Sequence, residues 1–97
     1  MVYMRALVIY YEKDDDIVLN YVKDFATEIK IYSPEPKVAP PGYNIYSGNF
    51  LHVLDELKDS IDFIAFKEKE NYTIDLLKTG DIYTEIKKRK IRLLIIH

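Results

Sequence analysis

The sequence predicts a small α/β domain built on a mostly parallel sheet, and three observations carry that prediction. Apolar runs rich in Val, Ile and Tyr alternate along the chain with stripes at helical spacing, the order that produces strand–helix–strand crossovers. The first run, Val2 to Tyr10, is interrupted only by Arg5, as expected of a strand covered on both faces. All four prolines and two of the three glycines lie in one connection, Ser33 to Asn49, which helix cannot enter.

Taken in order, the chain reads as follows. After the first strand come Asp14, Asp15 and Asp16, then Ile17, Val18, Tyr21, Val22 and Phe25 as one helical stripe. Aspartates at a helix start satisfy free N–H groups and suit the positive end of its dipole. Ile29 to Tyr32 is a short second strand, stopped by Ser33-Pro34. Beyond the proline-rich connection, Ser47 or Asn49 caps a helix to about Leu57 with Phe50, Leu51, Val53, Leu54 and Leu57 as its stripe. Ile61 to Phe66 is a third strand, and Ile91 to Ile96 a fourth. Between them Asn71 caps a helix over Tyr72 to Lys78 closed by Gly80, with Asp81 opening another that reaches Lys90; in the alternative, residues 72–78 pair back on 61–66 as a hairpin, giving an α+β fold.

Four mostly parallel strands in the order 2-1-3-4, with helices on the faces in two or three layers, resemble a minimal flavodoxin-like layout. In that order the first helix stands alone on one face, and a homodimer is expected to cover what it leaves open.

Composition bounds the function. The 97 residues make one domain, residues 1–97, with a core of its own. Cysteine is absent, which removes disulfides, thiolate zinc sites and thiol nucleophiles. A formal charge of −2 gives no overall pull to nucleic acid or anionic membrane. No run approaches the ~20 apolar residues of a membrane span, and the first residues lack the layout of a signal peptide, so a cytoplasmic location is expected. Many Lys and Glu with no Gln, Trp or Cys follow the tendency of thermophile proteins.

No family is recognised in the residues, and no cofactor signature occurs: neither G-x-G-x-x-G nor G-x-x-x-x-G-K-[ST] is present. In a parallel sheet, ligands bind beyond the carboxyl ends of the strands, so Tyr10, Tyr11, Glu12, Asp14 to Asp16, the proline-rich connection, Lys67 to Asn71 and His97 are the residues to examine. Three readings follow. The first is a binding or protein-interaction module presenting the connection 33–49 and the carboxyl edge to a protein or small ligand, through Tyr11, Tyr43, Tyr46, Gly48 and Asn49. Tyrosines there supply rigid contact area with a polar tip, although folding back to cap the core would use the same residues. The second is a metal-dependent phosphoesterase or nuclease holding Mg²⁺ on Glu12 and Asp14. A receiver domain of response regulators also carries acids after its first strand, but it needs an aspartate where this chain has Phe66-Lys67. The third is a weak nucleic-acid binder using Lys87, Lys88, Arg89 and Lys90, residues that equally suit a helix C-terminus. His52 with Glu56 reads as an ordinary i, i+4 pair.

Overall fold

The computed structural model describes residues 4–68 and 80–96. Among them five strands form one all-parallel sheet. The strands are β1 (Arg5–Ile9), β2 (Glu28–Tyr32), β3 (Asn44–Tyr46), β4 (Phe63–Lys67) and β5 (Arg92–Ile96), in the order β3-β2-β1-β4-β5. Three α-helices are present among the described residues: α1 (Asp16–Lys23), α2 (Phe50–Leu57) and α3 (Gly80–Lys88). The order expected for four strands is present, and a fifth strand extends it at one edge. That strand, β3, follows the prolines. Asn44-Ile45-Tyr46 is β-prone, and pairing on one side only, at a sheet edge, tolerates proline close by. The choice between helix and hairpin over 72–78 lies outside the described residues, as does His97.

Parallel neighbours require right-handed crossovers, and these distribute the helices. α2 and α3 lie on one face over Leu7, Ile9, Tyr32, Ile64 and Phe66. Among the described residues α1 is the one helix on the other face, its Val18, Leu19 and Val22 over Ala6, Val8, Ile31, Phe63 and Ala65. Alternate residues of β1 therefore feed two separate cores, which explains its almost unbroken apolar run.

Local chemistry fixes the ends. Asn49 caps α2 by accepting a hydrogen bond from the His52 amide at 3.1 Å. At the start of α1 the Asp15 carboxylate is buried, 2% exposed, and accepts from the amides of Tyr11 at 2.7 Å and Glu12 at 3.1 Å. β4 begins at Phe63 rather than Ile61 because Asp62 is engaged as a clamp on β1: its carboxylate accepts from the Arg5 amide at 2.8 Å and from the Arg5 guanidinium at 3.0 and 3.1 Å. α3 closes in a Schellman arrangement, Lys90 N–H to the Lys87 carbonyl and Ile91 N–H to the Ile86 carbonyl. Lys90 occupies the left-handed position there, at φ 57°.

Leu54→Ala, at a fully buried position under α2, should cost about 2–5 kcal/mol in urea melting. Ile17→Ala, on the exposed flank of α1, should stay within ~0.5 kcal/mol.

A candidate docking groove at the amino edge of the sheet

The carboxyl edge holds the residues that the sequence pointed to, and most have structural work there. Tyr11 and Tyr46 pack against the core beneath α2. Tyr43, with Ala39, packs against the core beneath α1, and the Lys23 ammonium stands 5.9 Å from the Tyr43 ring centre. The proline-rich connection thus folds over both faces of the β2–β3 side. Gly48 takes φ 88°, and its carbonyl accepts from the Tyr32 hydroxyl; Asn49 is the helix cap described above. Glu12 and Asp15 form a reciprocal capping box, and Asp16 accepts from the Tyr10 hydroxyl at 2.6 Å. Burial first, then that carboxylate, pushes the Tyr10 phenol well above its ordinary value. Asp14 is exposed. Among the described residues no group of three or more His, Cys, Asp or Glu is placed to hold a metal ion.

The basic run divides. Arg89 reaches back along α3 to Glu85, at 2.8 Å, and across to Asp55 on α2, at 2.9 Å. Lys88 also pairs with Glu85, at 3.3 Å. These contacts hold the Glu85 carboxyl below its usual range. Lys87 is exposed on α3, and Lys90 turns toward the amino edge of the sheet.

There the structure forms a groove of about 730 Å³ between the end of α1, the turn after α2 and the start of β5. Its aromatic wall comes from α1 and the turn that follows it. The helix stripe is wider than one helix-on-sheet contact can bury: Val18 and Val22 go under, while Ile17, Tyr21 and Phe25, one turn apart along the stripe's flank, remain in solvent. Phe25 stacks on Phe63 of β4 at 5.7 Å, and Tyr21 meets Phe25 edge-on at 5.6 Å, both normal aromatic geometries. Tyr21 is 53% exposed and Phe25 38%. Leu94 of β5 extends the apolar surface.

The rim is cationic. Among the described residues that line the groove, Arg5, Lys58, Arg89, Lys90 and Arg92 outnumber the acids Asp59 and Asp62. Arg5 is bound to Asp62, and Arg89 to Asp55 and Glu85. Lys58, Lys90 and Arg92 make no ion pair among the described residues. The sequence expectations left this surface out. Tyr21 and Phe25 read as core, and Lys58 and Arg92 lie 34 positions apart along the chain. The available signal was the breadth of the α1 stripe.

The Arg5–Asp62 clamp sets a pH dependence. Hydrogen bonds from the Arg5 guanidinium, and then from its amide, hold the Asp62 carboxyl below the ordinary carboxylate value. A depressed folded value means that this contribution to stability is complete above the unfolded value of about 4 and is lost as pH falls through the folded one. Asp62→Asn should therefore flatten the decline in melting temperature below about pH 4, while leaving the wild-type excess stability visible at neutral pH.

No helix among the described residues is long and apolar enough to cross a membrane. Comparison with known proteins supplies no relative: no family model, no curated protein and no solved structure matches this chain.

Proposed function

We propose that this chain is a non-catalytic interaction module that docks an acidic segment of a protein partner, seating one of its aromatic or aliphatic side chains in the amino-edge groove. One observation carries the reading: Lys58, Lys90 and Arg92, three cations without an ion pair among the described residues, rim an exposed aromatic wall made by Tyr21 and Phe25, which is backed by the buried ring of Phe63. Aromatic anchors in a pocket supply affinity at interfaces, and complementary charge supplies orientation and rate. The volume, about 730 Å³, falls within the range of pockets that enclose a side chain or a small ligand.

The backbone of Lys90 supports the same reading. A lysine holds the left-handed position that glycine takes at less cost, and residues kept in such conformations cluster at functional sites. The connection 33–49, with Tyr11, Tyr43, Tyr46, Gly48 and Asn49, supports a binding role less well, because its tyrosines are half-buried against the two cores. Nucleic-acid binding through Lys87 to Lys90 has the aromatic wall in its favour but loses Arg89 to internal ion pairs.

Selection from a displayed random-peptide library against the folded protein tests the proposal. Enriched sequences should carry an aromatic or large aliphatic residue flanked by Asp or Glu, and a synthetic peptide of that kind should bind more weakly as salt rises. Lys58→Glu combined with Arg92→Glu, and separately Tyr21→Ala, should each weaken it by about tenfold or more. Lys90→Gly separates function from stability: it should raise stability, by up to ~1 kcal/mol, while weakening the peptide. Failure to enrich acidic peptides, or saturable binding of an oligothymidine at the same residues in their place, would overturn the proposal.

A further inference from the structure

The two edges of the sheet are protected very differently. β3 is three residues long, with exposed Asn44 at its start and a two-proline turn just before it. Short strands and nearby prolines are common ways of blunting an edge against further pairing. β5 at the opposite edge is five residues, Arg-Leu-Leu-Ile-Ile, with no charge after the first position. Its Leu93, Leu94 and Ile96 are only partly buried, and Ile95 is 39% exposed. Such a composition belongs to a central strand, yet β4 is its one neighbour among the described residues.

The ladder shows which backbone groups remain for a second neighbour. The Arg92 amide donates to the Asp62 carbonyl at 3.3 Å, and the Glu68 amide donates to the Ile96 carbonyl at 2.8 Å. In a parallel ladder the N–H and C=O of one residue point to the same side, and successive residues alternate. With Phe63 beside Arg92 and Ala65 beside Leu94, residues 92, 94 and 96 bond to β4. The amides and carbonyls of Leu93 and Ile95 therefore point away from the sheet.

We infer that β5 pairs antiparallel with β5 of a second copy of this chain, about a two-fold axis at Leu94, joining two five-stranded sheets into one. In that register Leu93 faces Ile95 of the other copy and Ile95 faces its Leu93. All four outward groups on each strand then enter hydrogen-bonded pairs. Leu94 meets its own equivalent as a non-hydrogen-bonded pair. Every cross-strand pair apart from the ends joins aliphatic to aliphatic, on both faces of the sheet. Arg92 lies opposite Ile96, so the two guanidinium groups sit at opposite ends and do not repel. The strand is its own complement, which is why a second copy fits it better than a foreign segment. A two-fold contact of this kind closes on itself and stops at a dimer.

The chain's lack of cysteine makes the register testable. Leu94→Cys places one thiol on each side of the axis, where the Cα atoms of a non-hydrogen-bonded pair stand about 4.5 Å apart, inside the range that a disulfide spans. Mild oxidation should convert this variant to a covalent dimer within the folded protein. Leu93→Cys, whose thiol would face Ile95 of the other copy, should not link. Sedimentation of the wild type should show a dimer, and Ile95→Lys should weaken it at least tenfold while circular dichroism and melting confirm the fold. Ile95→Pro deletes only an outward amide and should do the same. A wild type that stays monomeric at ~100 µM, a dimer that Ile95→Lys leaves intact, or cross-linking through Leu93→Cys in preference to Leu94→Cys would overturn the inference. Peptide binding in the groove is read separately, so either proposal can fail without the other.

Discussion

β1 is paired with β2 on one side and β4 on the other, and its side chains enter two cores in alternation. Every other element takes its place from that strand. Because each crossover from a parallel strand is right-handed, the step from β1 back to β2 puts α1 on one face. The steps that carry the chain to β4 and β5 put α2 and α3 on the other. Among the described residues one face is consequently covered by two helices and the opposite face by one. The imbalance follows from strand order and handedness, before any particular side chain is considered.

The chain answers this imbalance differently on the two sides of α1. Over β2 and β3 the proline-rich connection lies down, with Ala39 and Tyr43 against the core, so a stretch with the look of a binding loop acts largely as a cover. Over β4 and β5 the α1 flank leaves Tyr21 and Phe25 beside Phe63 and Leu94. The groove opens where α1, the one helix described on this face, stops short of the β4–β5 half of the sheet. Cations collect at its rim because α2 and α3 both end at the amino edge. Lys and Arg are favourable near the end of a helix; the turns that follow carry Lys58 and Lys90, and Arg92 opens β5 beside them.

The acidic residues after β1 illustrate the opposite case, a cluster whose chemistry is already satisfied. Asp15 is consumed by the Tyr11 and Glu12 amides, and Asp16 by the Tyr10 hydroxyl. Capping of the first turn accounts for Asp15, and the bond from the Tyr10 hydroxyl accounts for Asp16. Arg89 is similar within the basic run: it ties α3 to α2 through Asp55 and Glu85, so a charge that reads as available for a phosphate is engaged in packing two helices together.

The parallel α/β class, the identity of the four longer strands and the buried stripe of α2 were legible in the sequence, whereas of the α1 stripe only Val18 and Val22 are buried. Those rest on periodicity: period two with covered faces in Val2 to Tyr10, period 3.6 in the stretches after Asp16 and Asn49. The sequence also narrowed the α2 cap to Ser47 or Asn49, because capping is a contact between near neighbours in the chain, and the structure assigns it to Asn49. The tertiary structure alone decided that Tyr21 and Phe25 are surface rather than core, since a stripe shows which side of a helix is apolar but not how much of it the sheet can cover. It alone brought Lys58, Lys90 and Arg92 together, because crossovers bring distant turns to one edge. It alone put Arg-Leu-Leu-Ile-Ile at the edge of the sheet formed by the described residues: a run of four apolar residues reads the same at the centre of a sheet as at its border, and only the order of the strands separates the two.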